Sequence, residues 1–307
     1  MLETINLGKV YKIKDKELVA VDNLNMHVEK GKITGLLGMN GAGKTTTIKM
    51  LTTLLKPTSG KVLYDGIDAE DDIEAVKRKI NVISGGERGL YDRLTGMENM
   101  DYFGALYGVK DRAFKEELLR KVGLEHAINQ PVEQYSKGMK QRLKIAKGLL
   151  NNPDYLFLDE PTIGLDIMVA HDFREAIHKM AHEDDKGVVL TTHYIAEAEE
   201  LCDYLYIIDK GKCIASGTIQ EVRSLLKDTG YTYTVNADTD LSSMQDICKV
   251  LNATSEKEGY CFVVKAESEI FNSLFEELQK GGITVTGIQK REASLDSVLY
   301  RIIEGNR

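Results

Sequence analysis

The chain has 307 residues, a net charge of −8 and four cysteines, a length that suffices for one large domain with its own core and a smaller second domain. The negative charge argues against a nucleic-acid-binding protein, because no basic tail or lysine-rich tract offsets it. No C-x-x-C pair, secretory signal or apolar stretch of about 18 residues is evident, which argues against metal, disulfide and membrane-spanning frameworks and predicts a cytoplasmic protein.

The first elements along the chain are predicted strands. Alternating apolar residues predict strands at 17–21 and 24–28, and a turn follows at 29–31. A short buried strand is predicted at 32–37, and apolar residues at helical spacing predict a helix over 45–55. A glycine-rich segment therefore lies at a strand-to-helix junction.

That junction contains the pattern G-x-x-x-x-G-K-[ST], from Gly38 to Thr45. Its glycines allow successive backbone N–H groups to point at one anion, at the positive end of the following helix. In this pattern Lys44 reaches the outer phosphates and the Thr45 hydroxyl ligates Mg²⁺. The strand and helix contexts favour this interpretation over a flexible glycine turn with a surface lysine. The predicted phosphate-binding residues are Gly38, Met39, Asn40, Gly41, Ala42, Gly43, Lys44, Thr45 and Thr46.

A helical block interrupts the α/β pattern that follows the phosphate loop. The pattern itself continues with a strand and turn at 61–67, a charged helix at 71–79 and a strand at 81–83. From about 95 to 150 the sequence is almost wholly helical, with breaks at Gly108, Gly123 and Pro131. We therefore predict an inserted helical subdomain.

The last helix of this block, within "QYSKGMKQRLKIAKGLL" at 134–150, has a marked start. Ser136 is a good N-cap residue, and Met139, Leu143 and Ala146 belong to an apolar stripe with basic residues opposite. Such a helix start suits an anion. Taken alone, it is also typical of any well-capped amphipathic helix.

Two further strands end in residues that can carry chemistry. The segment "YLFLDE" ends in Asp159 and Glu160, and "VVLTTH" ends in His193. Ligands bind at the carboxyl ends of strands in open α/β sheets, where one carboxylate can support Mg²⁺ while the other takes a proton from water. The alternatives are two acids that cap a strand and an ordinary surface or core histidine.

The character of the sequence changes near residues 226–230, after a predicted hairpin at 204–215. From there the predicted order is strand, helix, two strands, helix and strand, which is a ferredoxin-like β-α-β-β-α-β arrangement, followed by a last helix at 295–303. We predict an α/β domain at 1–226 and a small α+β domain at 227–307.

Together and in this order, the motifs of the first 220 residues resemble those of the nucleotide-binding subunit of an ATP-binding-cassette (ABC) transporter, a P-loop NTPase. The segment 38–46 looks like the Walker A motif, 135–139 like the signature motif and 155–160 like the Walker B strand. The segment 163–166 resembles the D-loop.

The resemblance implies an ATPase that closes head to tail with a second ATPase domain, either as a homodimer or as a heterodimer. ATP would lie between the Walker A loop of one domain and Ser136 and Gly138 of the other. Asp159 would support Mg²⁺, Glu160 would polarise the attacking water, and His193, as the switch histidine, would contact the γ-phosphate. Tyr11 falls where the family stacks an aromatic ring on adenine.

Two features depart from the family's pattern. Lys137 stands in the signature where the commonest form has glycine, and it adds positive charge at a helix start that the helix dipole slightly disfavours. The glutamine expected after the strand at 81–83 is absent, and "SGGERGLYDRLT" stands there. We predict that Glu87 and Arg88 of this segment face a membrane partner, and that the two preceding glycines act as a hinge.

These motifs predict the ATP-hydrolysing subunit of an exporter, located at the inner face of the cell membrane through a separate permease subunit. The C-terminal segment, especially "REASLDSVLYRII", resembles the accessory domain of ABC-2 type drug, antibiotic and sodium exporters. One alternative is a soluble ABC ATPase acting in translation or DNA repair, although no tandem cassette, basic linker or coiled coil is visible. The other is a regulatory nucleotide-binding module that is not coupled to transport and does not turn over, which Glu160 and His193 disfavour.

Overall fold

A computed structural model describes residues 1–14, 16–84, 89–224, 231–237, 244–251, 253–258, 261–266, 269–281 and 283–291. The chain consists of two compact units, Met1–Ile219 and Gln220–Arg307. The domain boundary predicted at 226/227 lies outside the described residues.

The first unit alternates strands and helices. Its strands are β1 (Leu2–Ile13), β2 (Lys16–Val28), β3 (Ile33–Leu37), β4 (Ser59–Tyr64), β5 (Ile67–Asp68), β6 (Ile80–Ser84), β7 (Tyr155–Asp159), β8 (Gly187–Thr192), β9 (Tyr204–Asp209) and β10 (Lys212–Gly217). Its helices are α1 (Lys44–Leu51), α2 (Ile73–Lys79), α3 (Gly96–Leu106), α4 (Arg112–Lys121), α5 (Lys137–Gly148), α6 (Ile167–His182) and α7 (Ile195–Leu201). Helix α8 (Ile219–Ser224) begins at the last residue of this unit.

Two sheets organise these elements. One is antiparallel, in the order β2-β1-β4-β5, and the other has the order β10-β9-β3-β8-β7-β6. In the second sheet β9, β3, β8, β7 and β6 are parallel to one another, and β10 pairs antiparallel with β9. The carboxyl ends of β3, β8, β7 and β6 therefore lie side by side at one edge, which is where α/β sheets bind ligands.

The centre of the parallel sheet is buried on both faces. Every residue of β3 and β8 is buried, as are the first four residues of β7. Strands with helices on both sides of the sheet have continuous apolar runs of this kind, whereas strands with one solvated face alternate. Such burial fixes the strands firmly, and with them the residues at their ends.

Helices α1 and α7 and strand β2 differ from the sequence predictions, and α8 was not predicted. Helix α1 ends at Leu51 instead of 55, because Thr53 adopts a left-handed conformation with φ of 59°. The two strands predicted at 17–28 are one strand, β2, in which Asn23 has a φ of 53°. Helix α7 was not predicted; it has only seven residues, three of them glutamates.

The predicted helical block contains α3, α4 and α5. Gly108 and Gly123 follow the ends of α3 and α4, with φ values of 72° and 70°. Left-handed glycines commonly end helices in this way. Two short 3₁₀ turns, Glu125–Ala127 and Val132–Gln134, lead into α5.

The second unit has its own sheet and core. Its elements are β11 (Tyr231–Ala237), α9 (Met244–Val250), β12 (Ala253–Glu258), β13 (Cys261–Ala266), α10 (Phe271–Lys280) and β14 (Val285–Arg291). The antiparallel sheet has the order β12-β13-β11-β14, and buried side chains such as Tyr233, Val264 and Leu274 form the core. The helix predicted at 295–303 lies outside the described residues.

Candidate nucleotide-binding and hydrolysis site

The phosphate loop joins β3 to α1, and its last glycine shapes the start of the helix. Gly43 is the N-cap of α1, with φ of 111°, and no side chain caps the helix there. A Cβ atom on Gly43 would lie 2.4 Å from the carbonyl oxygen of Ala20. Only glycine fits both the left-handed conformation and this close approach. Because no side chain caps this helix, the backbone N–H groups at its start are available to bind an anion.

Lys44 extends from the first residue of α1 back across the loop. Its side chain is only 4% exposed, and Nζ donates to the carbonyl oxygens of Gly38 at 2.7 Å and Met39 at 3.2 Å. The same Nζ lies 3.3 Å from Oε1 of Glu160. The Lys44 ammonium is therefore held between the loop and the end of β7, as expected for a cation that binds polyphosphate.

A hydroxyl and a carboxylate meet beside this lysine. The Thr45 hydroxyl lies 3.3 Å from Oδ1 of Asp159, and the Thr191 hydroxyl donates to the same oxygen at 2.6 Å. Two oxygens that share an octahedral Mg²⁺ with bonds of about 2.1 Å lie roughly 3 Å apart. The separation of Thr45 and Asp159 thus fits a magnesium ion held by both.

Glu160 and His193 come from neighbouring strands, β7 and β8. Glu160 has an unusual φ of 46°, and its backbone N–H donates to the hydroxyl of Thr191 at 3.0 Å. Nδ1 of His193 lies 3.5 Å from Oε1 of Glu160. This nitrogen is buried and has no hydrogen-bond partner among the described residues. The carboxylate is thus flanked by Lys44 and His193.

A cleft of about 430 Å³ opens over the phosphate loop. This volume falls in the range of small-molecule pockets. One wall contains Tyr11, Leu18 and Val19, which provide aromatic and apolar surface suited to a base. The full lining consists of Tyr11, Leu18, Val19, Ala20, Asn40, Gly41, Gly43, Lys44, Thr45, Thr46, Glu160 and Lys210.

Among the residues predicted for this site, the structure brings most together. Tyr11, residues of the phosphate loop and Glu160 line the cleft, while Asp159 and His193 contact lining residues. Ala42 accepts a hydrogen bond from Gly211 through its carbonyl, which attaches the loop to the β9–β10 turn.

Ser136 and Gly138 do not line this cleft. Ser136 is the exposed N-cap of α5, and its hydroxyl accepts a hydrogen bond from the backbone N–H of Met139 at 3.2 Å. Gly138 is buried against α6, where a Cβ atom would lie 2.9 Å from Val169 Cγ2. This helix start is therefore a separate surface on the same unit.

Two residues of the cleft region were missed by the sequence analysis. The Thr191 hydroxyl contacts the Asp159 carboxylate and the backbone N–H of Glu160, and Lys210, in the turn between β9 and β10, lines the cleft. The signal for Thr191 was its place two residues before His193, at the end of a buried strand. Glu87, Arg88 and the two preceding glycines lie outside the described residues.

Comparisons with known proteins agree with this geometry. A model of the family described as ABC transporter matches residues 21–163. The ABC transporter ATP-binding protein NatA of Bacillus subtilis is 38% identical over 225 residues, which cover 72% of this chain and 91% of NatA. The bacitracin transport ATP-binding protein BcrA of Enterococcus faecalis is 31% identical over 310 residues, which cover 99% of this chain and 97% of BcrA.

One similar protein has a solved structure in which its assembly and its bound ligands are known. It is a dimeric ATP-binding cassette in a post-hydrolysis state, bound to ADP and Pi. It is 27% identical to this chain, with a TM-score of 0.62, and the alignment covers 71% of this chain and 99% of the cassette. The likeness thus spans nearly the whole of that cassette.

Proposed function

Because the chain belongs to the ATP-binding subunits of ABC transporters, whose members hydrolyse ATP to drive transport, we propose that its cleft binds Mg–ATP and powers export through a separate membrane subunit. The observation that carries this proposal is the convergence of Lys44, Asp159, Glu160 and His193 at adjacent strand ends. To the second unit, over which the match to the bacitracin transport protein BcrA extends, we assign an accessory role in export.

Nucleotide binding is assigned to the phosphate loop and its surroundings. Backbone N–H groups at the start of α1 and the ammonium of Lys44 bind the β- and γ-phosphates, while Tyr11 stacks on the base. Thr45 and Asp159 hold Mg²⁺, which neutralises charge on the phosphate oxygens. The 3.3 Å separation of their oxygens supports this pair.

Hydrolysis is assigned to Glu160 and His193. The water oxygen forms a bond to the γ-phosphorus, the bond to the bridging oxygen of ADP breaks, and Glu160 takes a proton from the water. His193 contacts the γ-phosphate and, on its other side, restrains the carboxylate. The 3.5 Å distance between Nδ1 and Oε1 supports this restraint.

The start of helix α5 is assigned the role of contacting a nucleotide bound to a partner subunit. Ser136 and Gly138 of α5 contact ATP bound to a second ATPase subunit, identical or related, so that two cleft-and-helix pairs close head to tail. The dimeric state of the similar ADP-bound cassette supports this arrangement.

In the described part of the chain no helix is long and apolar enough to cross a bilayer. Attachment to the inner face of the membrane is therefore assigned to the permease.

Exchange of two residues tests the site. Glu160→Gln removes the proton acceptor but keeps the shape, so the variant should bind ATP like the parent, lose hydrolysis by roughly a hundredfold or more and accumulate as an ATP-bound dimer. Lys44→Ala should instead weaken ATP binding by roughly a hundredfold, since a charge-assisted contact contributes about 3 kcal/mol.

Equilibrium ATP binding, phosphate release and size-exclusion chromatography separate these outcomes. Hydrolysis at the parent rate by Glu160→Gln excludes Glu160 as the base. Equal ATP affinity in the parent and in Lys44→Ala contradicts the phosphate-loop assignment.

A further inference from the structure

The turn Glu160–Thr162 begins at the proposed general base and has a backbone conformation that other contacts must stabilise. Glu160 has a positive φ of 46° and is followed directly by proline. Left-handed backbone is costly for a residue with a side chain, and a following proline restricts it further. Such conformations persist only when the surrounding structure determines them.

One support comes from α7, the helix that follows His193. The Thr162 hydroxyl donates to Oε1 of Glu197 at 2.7 Å. Glu197 is 4% exposed, and its second oxygen, Oε2, is buried without a hydrogen-bond partner among the described residues. Burial, with the Glu197 carboxylate as a further cause, raises the pKa of the neighbouring Cys202 thiol. The carboxylate is thus well removed from water.

A second support comes from α5, the helix capped by Ser136. Nε2 of Gln141 donates to the carbonyl oxygen of Pro161 at 3.1 Å, and Gln141 is also 4% exposed. The turn after Glu160 is therefore bonded on one side to α7, the helix that follows His193, and on the other to α5, the helix capped by Ser136. At the start of the turn, the backbone N–H of Glu160 donates to the hydroxyl of Thr191 in β8.

A purely structural contact does not account for this arrangement. Burying a carboxylate with one oxygen unpaired costs more than burying a neutral side chain of similar size. The Thr162–Glu197 hydrogen bond, at 2.7 Å, acts on the turn that sets the direction of the Glu160 side chain. Small displacements of a reacting group lower rates strongly, so a rigid turn has a catalytic value.

We propose that Glu197, through Thr162, and Gln141, through Pro161, are positioning residues that hold the Glu160 carboxylate where it accepts the proton of the attacking water. This inference rests on the proposed role of Glu160. Because Gln141 and Ser136 share one helix, a displacement of α5 caused by a partner's nucleotide reaches the base of this subunit's own site.

The principal test exchanges Thr162, because this exchange removes the hydrogen bond and leaves the buried Glu197 side chain in place. Thr162→Val keeps the side-chain shape and removes the donor; we expect kcat for ATP hydrolysis to fall roughly tenfold or more, with ATP affinity within about twofold of the parent. Thr162→Ser restores the donor and should return kcat to near the parent value. Gln141→Leu should lower kcat in the same way.

Thr4→Val is the matched control. The Thr4 hydroxyl is buried in the antiparallel sheet, where it donates to the carbonyl oxygen of Leu24 and accepts the N–H of Met26, and Thr4 does not line the cleft. Its loss should lower the melting temperature and leave kcat per folded molecule unchanged. A fall in kcat equal to that of Thr162→Val would show a general effect of lost stability and overturn the proposal.

The result must also be separated from the role of Glu160 itself. If Glu160→Gln loses hydrolysis while Thr162→Val keeps the parent kcat, the positioning inference fails and the base assignment stands. If Thr162→Val lowers the residual rate of Glu160→Gln by the same factor as in the parent, Thr162 acts elsewhere and the inference again fails. Parent-like hydrolysis by Glu160→Gln overturns the base assignment directly.

Discussion

Two helix starts in this chain suit an anion, and they are built in opposite ways. Helix α1 begins after Gly43, which is left-handed and gives no side-chain cap, and its first residue, Lys44, is buried against the loop. Helix α5 begins after Ser136, whose exposed hydroxyl already accepts the N–H of Met139. The first start leaves its donors for a ligand, and the second satisfies one of them itself.

The difference indicates what each start needs from elsewhere. At α1 the ammonium, the hydroxyl of Thr45 and the carboxylates of Asp159 and Glu160 lie within contact distance in one chain. At α5 the cap is exposed and does not line the nucleotide cleft. The first start thus has a cation, a hydroxyl and two carboxylates around it within one chain, whereas the second has an exposed cap outside the cleft and, in the proposed function, meets a nucleotide bound to another subunit.

The largest expected effect on stability comes from a methyl group in the phosphate loop. Gly43→Ala places Cβ 2.4 Å from the carbonyl oxygen of Ala20 and forces alanine to a φ of 111°. We expect a loss of about 2 kcal/mol or more in the free energy of unfolding, because steric overlap adds to backbone strain. ATP binding should fall with it, as the N–H groups move.

Gly41→Ala is the matched control for that loop. Gly41 also has a positive φ, 83°, but its Cβ would meet nothing within 4 Å among the described residues. Only the backbone cost of about 1 kcal/mol should appear. Chemical denaturation and equilibrium ATP binding measure both variants. Equal losses in the two would mean that the close approach at Gly43 does not determine the loop.

The α1 site was predictable because its information is local. The spacing from Gly38 to Lys44 specifies the loop, and the apolar runs before Asp159 and His193 mark buried parallel strands. Once these strands are parallel and adjacent, their carboxyl ends meet whatever the rest of the fold does. The residues alone therefore predicted acids and a histidine at the carboxyl ends of strands, and the resemblance to ABC ATPases implied that they meet at the phosphate loop.

The supporting residues were not predictable, because their roles depend on register and on packing between distant segments. Thr191 holds Asp159 only because the two lie opposite each other in paired strands. Glu197 lies on α7, which is too short and too acidic for an amphipathic pattern to reveal it. Gln141 looks like any polar residue of α5 until its contact with Pro161 is known.

The α5 start is packed against α6, and the second prediction tests that contact. Gly138→Ala should gain about 1 kcal/mol of helix propensity but lose about 2 kcal/mol or more, because the new Cβ lies 2.9 Å from Val169 Cγ2. A net destabilisation of about 1 kcal/mol is expected. Valine is stiff about its Cα–Cβ bond, so it cannot easily turn away.

Removing the obstacle should reverse the sign. In a Val169→Ala background the same Gly138→Ala exchange should stabilise the chain by up to about 1 kcal/mol, since only the propensity gain remains. Urea denaturation of the four proteins gives the coupling energy. Strict additivity of the two exchanges would show that the Gly138–Val169 contact does not limit the side chain at position 138.

The smallest effect separates the two roles given to Ser136, as a helix cap and as a contact for a partner's phosphate. Ser136→Ala removes the acceptor of the Met139 N–H, and it should lower the free energy of unfolding by about 1 kcal/mol. This loss alone does not test the phosphate contact, because a frayed helix would also weaken any site at its start.

Ser136→Asp resolves the ambiguity, because aspartate is as good a cap as serine and its charge favours the positive end of a helix. Stability should therefore equal or slightly exceed that of the parent. A carboxylate about 4 Å from a phosphate oxygen is nevertheless repelled by roughly 4 kcal/mol at an effective dielectric constant near 20. ATP-dependent dimerisation and hydrolysis should accordingly fall further in Ser136→Asp than in Ser136→Ala, while ATP binding by the monomer stays near the parent value. If aspartate preserves stability, dimerisation and hydrolysis together, the α5 start is a capped helix and receives no phosphate.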